Sequence, residues 1–310
     1  MKYAVTGGAG FIGSNLVDTL ISNDNEVIIF DNFSSGIEEN INSKAKLIKV
    51  DVSDSTNNDI IKSALKNVDT VFHFAAMARV QPSIDDPVTF EKNNSLGTIN
   101  MLKCSVDANV RRFVYSASSS AYGDAVKMPM VEEDNIDPIS PYAMQKYYGE
   151  VACKMFCKVY NIETVSLRYF NVYGERQSME GAYALVVAAF AKMRLNNVPL
   201  TIRGDGEQRR DFTYVKDVVK ANILASESKL VGNGEVINIG NGDNRSVNEI
   251  AEMIGGETIN IDPVIEPKET LADNSKAKEL LGWSPSMNIE DWIPEYLNDL
   301  GITEKWAKEY

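Results

Sequence analysis

The chain has 310 residues, 44% hydrophobic and 24% charged, the composition of a globular protein with enough apolar side chains for a large core. Its formal net charge of −13 argues against nucleic acid and against an anionic membrane as partners, although a local arginine or a helix N-terminus can still hold phosphate. Three cysteines, Cys104, Cys153 and Cys157, point to reduced thiols rather than a disulfide framework, and with a single histidine the chain offers no metal-ligand cluster.

From the start, Met1 and Lys2 run straight into a β-type run at 3–6, without the pattern of a signal peptide. The longest purely apolar run, 182–191, is far short of a bilayer span, so the expectation is a soluble, cytoplasmic protein. Gly7, Gly10 and Gly13 follow the first strand as G-x-x-G-x-x-G and open a helix. Missing side chains there permit a tight turn and close approach of a pyrophosphate, which the helix N-terminus would bind. A second strand, 27–30, ends at Asp31, whose carboxylate suits the hydroxyls of an adenosine ribose. It would repel a 2′-phosphate, and 32–36 holds no Lys or Arg, so NAD is expected rather than NADP.

Further strands are predicted at 47–50, 70–74, 112–116 and 164–168, with helices at 87–109 and 141–160. Alternation of this kind predicts a doubly wound parallel sheet, an α/β Rossmann architecture with ligands at the carboxyl ends of its strands. His73 ends an apolar strand and reads as a packed structural residue. After 174 the regularity weakens: a helix at 181–196, a Gly-rich loop, a strand and helix at 211–228, a strand at 236–240, then short helices punctuated by Pro263, Pro267, Pro285 and Pro294. The expected division is a nucleotide-binding domain at 1–172, with 211–242 returning to it, and a smaller mixed α/β lobe at 173–210 and 243–310 that binds substrate.

The chemistry is carried by Tyr142 and Lys146, spaced Y-x-x-x-K, together with the serine run Ser118, Ser119 and Ser120. Four residues is about one helical turn, so phenol and ammonium share a helix face. A lysine there is expected to lower the tyrosine pKa and make the phenol a proton acceptor for a hydroxyl beside a redox cofactor.

Five motifs occur in order: T-G-G-A-G-F-I-G (6–13), D-N-F-S-S-G (31–36), S-x-S-S-S-A-Y-G (116–123), Y-x-x-x-K (142–146) and R-Y-F-N-V-Y-G (168–174). With Ala272, Asp273 and the stretch to Trp283, the chain resembles, from residue 1 to roughly 300, the extended short-chain dehydrogenase/reductases of the nucleotide-sugar epimerase/dehydratase family. The resemblance implies that Tyr142 is the acid/base, that Lys146 holds the nicotinamide ribose, and that Ser118 bonds the sugar oxygen with Ser119 nearby. The cofactor-binding set assigned with it is Gly7, Gly10, Phe11, Ile12, Gly13, Asp31, Asn32, Ser35, Gly36, Asp51, Val52, Phe74, Ala75, Ala76 and Lys146. At the diphosphate the resemblance implies Asn171 and Arg210; the family's second arginine is missing from 263–268, where Lys268 is the possible substitute.

Relatives that eliminate water carry an Asp-Glu pair where this chain has Ser119 and Ser120, and relatives that decarboxylate keep the Glu. Oxidation and re-reduction at one carbon stay open, and the resemblance implies C4 epimerisation of a UDP-hexose through a 4-keto sugar. Thr270 occupies a gate that a large tyrosine closes to N-acetyl sugars in relatives, so both UDP-Glc/Gal and UDP-GlcNAc/GalNAc are expected. Two alternatives stay open: a 4-keto reductase or 3-/5-epimerase of another nucleotide sugar, and a non-catalytic NAD-sensing regulator. Relatives pair the helices matching 87–109 and 141–160 into a four-helix bundle, which implies a homodimer.

Overall fold

The computed structural model describes residues 1–125, 127–179, 185–263 and 266–302. Seven strands form one sheet: β1 (Lys2–Thr6), β2 (Glu26–Asp31), β3 (Lys46–Lys49), β4 (Thr70–His73), β5 (Arg112–Ser118), β6 (Glu163–Tyr169) and β7 (Asn233–Ile239). Their order is β7-β6-β5-β4-β1-β2-β3, and every neighbouring pair is parallel. The order reverses between β1 and β4, whose last residues Thr6 and His73 are in register. In a doubly wound sheet that reversal opens the ligand crevice.

The strands read as continuous apolar runs because both sheet faces are covered. Within β1, Ala4 faces a core with Phe30, Val71, Phe113, Tyr115 and Phe156, whereas Val5 faces one with Leu16, Phe72, Leu167, Trp283 and Trp292. Successive side chains on a strand alternate faces, so two adjacent residues serve two cores.

Helix Pro141–Tyr160 starts with proline at its first turn and Ser140 as cap, whose Oγ accepts the Ala143 N–H at 3.2 Å. It lies close on β5, for a Cβ at Gly149 would sit 2.2 Å from the Tyr115 ring. Only glycine tolerates that approach. The helix expected at 87–109 is interrupted: Pro87–Glu91 and Gly97–Asp107 are α-helical, and Lys92–Leu96 between them is a π-turn. A π-turn takes one extra residue into the helix and so displaces the faces before and after it by one position.

Three two-stranded ribbons stand outside the main sheet: Val172–Tyr173 with Thr213–Tyr214, Arg209–Asp211 with Asn244–Ser246, and Leu200–Arg203 with Thr258–Ile261. Strand Thr258–Ile261 corrects the expectation of a purely helical tail. Its four residues are all exposed, so they lack the half-buried alternation that marks a strand. Pro294 is not punctuation; it sits inside helix Ile289–Asp299, where buried Trp292 and Ile293 outweigh one lost backbone bond. The helix expected from 181 is Val186–Leu195, and the start of the expected range lies outside the described residues.

The second half returns to the sheet through helix Val215–Glu227 and strand β7. Arg112, 3% exposed, anchors that return by donating to the carbonyls of Ala225, Ser228 and Val231 while pairing with Glu163. Behind the carboxyl edge, Arg168 forks onto Glu150 at 2.8 and 2.7 Å with both side chains buried, and its guanidinium lies 4.6 Å from the Tyr122 ring centre. Burial pushes the Glu150 carboxyl up, and Arg168 holds it down. Replacing Arg168 with Met is expected to strand a buried carboxylate and destabilise the fold by about 3–5 kcal/mol, read as a lower urea midpoint. A change below about 1 kcal/mol would mean that the pair adds no more than an exposed one.

Candidate active site at the carboxyl edge of the sheet

The glycine loop is shaped by backbone contact. Gly7 has φ +69°, and a Cβ on it would lie 2.8 Å from the Ala75 nitrogen; one on Gly13 would lie 2.2 Å from the Gly7 carbonyl. The loop therefore packs directly on Phe74 and Ala75 at the end of β4, and Ala75 N–H donates to Thr6 Oγ1 at 3.1 Å. Helix Phe11–Ser22 begins here with Gly10 as its cap and no side chain capping its first N–H groups. Those groups, on Phe11, Ile12 and Gly13, fit the diphosphate of a dinucleotide.

Asp31 is 7% exposed; its Oδ2 accepts Ala9 N–H at 2.9 Å and its Oδ1 accepts Phe33 N–H at 2.8 Å. It organises the turn and keeps lone pairs that could accept from the hydroxyls of a ribose. Gly36 closes the turn on the loop, since a Cβ there would meet Ala9 at 2.7 Å. Asn32 accepts Ser34 N–H at 2.9 Å, and Ser35 is exposed. One cation escaped a reading confined to 32–36. Lys49, the in-register partner of Asp31 on β3, holds its ammonium 5.1 Å from the Phe33 ring centre. Beyond β3, Asp51 Oδ1 accepts Ser53 N–H at 2.8 Å beside buried Val52, and partly buried Ala76 follows Ala75.

β5 delivers Ser118 to the same edge, and a tight turn, Ser119–Tyr122, follows it. Ser118 Oγ accepts the Ser120 N–H at 3.2 Å and its hydroxyl at 2.8 Å. Ser120, a bland loop residue on sequence grounds, thus orients Ser118. Tyr142 and Lys146 project from the buried face of helix Pro141–Tyr160, and the Tyr142 N–H donates to Ser83 Oγ at 3.2 Å. Lys146 Nζ donates to the Ser116 carbonyl at 2.8 Å and lies 5.9 Å from the Tyr142 ring centre.

The electrostatics differ from the expectation. Burial raises the Tyr142 pKa above its ordinary value, opposed by a hydrogen bond with Ser118 and by the guanidinium of Arg79. The Lys146 ammonium is itself pushed down to about 8 by burial. Arg79, in the turn after β4 with φ +98°, was missed by sequence reasoning, and an arginine just past an apolar strand end was the available signal. His73 is the structural residue expected, with Nδ1 2.8 Å from Thr6 Oγ1, Nε2 3.1 Å from Thr98 Oγ1 and its pKa dropped to about 3 by burial.

The far end of the edge gathers Asn171, Arg210 and Thr270. Asn171 Nδ2 donates to the Asp211 carbonyl at 3.2 Å and to Thr270 Oγ1 at 3.4 Å. Arg210 pairs with Glu266 at 2.5 Å, so a phosphate there would compete with a carboxylate. Arg209 turns to Glu249 at 2.9 Å. The Lys268 N–H donates to Asp124 Oδ1 at 3.3 Å, and 264–265 lie outside the described residues. Among the described residues no group of three histidines, cysteines or carboxylates could hold a metal ion, and no helix is long and apolar enough to cross a membrane.

A profile of the NAD dependent epimerase/dehydratase family matches residues 3–240. A putative UDP-glucose 4-epimerase of Methanocaldococcus jannaschii is 40% identical over 95% of this chain and 96% of its own. The crystal structure of a UDP-glucose 4-epimerase from Thermotoga maritima, with UDP-glucose, superposes with a TM-score of 0.91 at 38% identity, covering 97% of this chain and 99% of that one. A UDP-N-acetylglucosamine 4-epimerase from Methanobrevibacter ruminantium superposes with a TM-score of 0.88 at 36% identity, covering 96% and 98%. With the glycine loop, Asp31 and the tyrosine–lysine pair on one sheet edge, this chain belongs to the NAD-dependent epimerase/dehydratase family and uses NAD as its cofactor.

Proposed function

We propose that the protein interconverts UDP-hexoses by inverting C4 through a transient 4-keto sugar. The observation that carries this is the grouping of Ser118, Tyr142 and Lys146 beside the cofactor loop, with Ser119 and Ser120 in place of an acidic pair. Bound NAD supplies a reversible hydride acceptor. Tyr142 takes the proton of the C4 hydroxyl and later returns it, Ser118 bonds the same oxygen, and Lys146 holds the nicotinamide ribose. Ser119 borders the sugar. Asn171 and Arg210 receive the diphosphate, for which a guanidinium fork is suited. Ser119 and Ser120 stand where relatives that eliminate water carry the acidic pair that moves a C5 proton, which supports inversion over elimination.

On this proposal the chain divides into a cofactor unit, 1–172 with 211–242, and a substrate unit, 173–210 and 243–310. Free thiols at Cys104, Cys153 and Cys157 support a cytoplasmic location. A homodimer is supported by an exposed apolar stripe on helix Pro141–Tyr160, formed by Met144, Tyr148, Val151, Met155 and Val159, beside exposed Val88. Those side chains turn away from the sheet, and a stripe on one helix can pair with itself about a two-fold axis.

Three tests follow. Proton NMR of UDP-galactose incubated with the protein, without added NAD, should show the gluco product, at a rate that rises with pH as Tyr142 loses its proton. Tyr142→Phe should keep NAD and lose activity by about 10²-fold or more, with that pH limb gone; wild-type turnover in it sinks the mechanism. Thr270→Tyr should spare UDP-galactose and suppress UDP-GalNAc at least about tenfold, the effect of filling a side-chain-sized space; equal loss of both would remove the gate. Sedimentation equilibrium should give twice the 34.3 kDa chain mass, and Val151→Glu should give one chain. A monomeric wild type would assign the stripe to something else.

A further inference from the structure

Asp211 lies outside every set that the sequence singled out, yet the substrate end converges on it. Its side chain is fully buried. One oxygen, Oδ1, accepts the Asn241 N–H at 2.7 Å; the other, Oδ2, accepts those of Gly242 and Ala272, each at 3.0 Å. The Asp211 main chain completes the knot, its N–H donating to Thr270 Oγ1 at 3.2 Å and its carbonyl receiving the Asn171 amide at 3.2 Å. Arg210 is the adjoining residue on the same short strand.

No cation pairs with this carboxylate in the contacts above. Burial pushes its pKa up to about 6, three backbone N–H groups oppose that, and the nearby Asp243 charge adds to the rise. A desolvated charge held by amides alone is costly unless every donor is well aimed. An Asn in its place has one acceptor oxygen and would aim N–H groups at backbone N–H groups. Space is reserved for the arrangement as well: a Cβ on Gly240 would lie 2.3 Å from the Ala272 side chain and 3.0 Å from Asp211 Oδ2. Three chain segments, at 171, at 241–242 and at 270–272, are thereby tied to one residue.

We propose that Asp211 is the positioning residue of the sugar-nucleotide end, holding Asn171, Thr270 and Arg210 as one preorganised unit. The proposal rests on the reading of those three as the nucleotide-sugar contacts. It places Asp211 on binding rather than on the chemical step at Tyr142. A residue that only stapled the fold would affect stability and NAD retention, with no selective change in KM.

The test is Asp211→Asn in the NAD-loaded protein, with UDP-galactose as substrate and amide hydrogen exchange as a second readout. KM is expected to rise about tenfold with kcat within about twofold and NAD retained, the signature of lost uniform binding. Amide exchange at Asn241, Gly242 and Ala272 is expected to quicken about tenfold as their acceptor is lost. Unchanged KM, or a fall in kcat at constant KM, overturns the proposal, as does unchanged exchange at the three amides. If the wild type itself leaves UDP-galactose untouched, the functional reading fails, and the exchange result alone decides the tie. Should the Asn variant not fold, Thr270→Val keeps the side-chain volume and removes the hydroxyl that receives both the Asp211 N–H and the Asn171 amide. It should raise KM about threefold at constant kcat, and no rise would again overturn the proposal.

Discussion

The close seating of helix Pro141–Tyr160 on β5 is the constraint on which the site depends. With Gly149 set against the Tyr115 ring, the helix axis comes near enough that Tyr142, Lys146 and Glu150, spaced at four-residue intervals, all face the sheet. Each then meets a partner from the strands: Ser118 for the tyrosine, the Ser116 carbonyl for the lysine, and Arg168 for the glutamate. A larger residue at 149 would lift the row as a unit. Catalytic geometry and buried ion pair are therefore one packing problem.

How much of this was legible follows from the range of the interactions. Strands covered on both faces announce themselves as apolar runs, and the glycine loop and Y-x-x-x-K are local patterns with local physical reasons. Lys49, Arg79 and Asp211 act through neighbours that the fold brings together, so their roles leave little local trace. The π-turn at Lys92–Leu96 and the proline inside Ile289–Asp299 show the same limit from the other side. In both, tertiary burial overrides a local rule that the sequence displays.

The electrostatic lesson runs against the bulk charge. A chain with a net charge of −13 places Arg79, Lys146 and Arg210 along a single sheet edge. Lys146 is tied to a carbonyl and Arg210 to Glu266. On the proposed function, an anionic nucleotide sugar at the far end would exchange partners with Arg210, a phosphate taking the place of the Glu266 carboxylate, rather than meet an open charge. Such an exchange would moderate affinity, because the existing ion pair must first be broken.

The late return of the chain to its sheet has a consequence for how the protein is made. β6 is complete at Tyr169, but its outer neighbour β7 does not begin until Asn233. On a ribosome, the hydrogen-bonding edge of β6 emerges well before its partner, and Arg112 waits for the carbonyls of Ala225, Ser228 and Val231. The sheet therefore cannot be completed from the first 169 residues. Its last strand arrives only after the segment between β6 and β7 has been synthesised, which makes the first and later parts of the chain a single unit of biosynthesis.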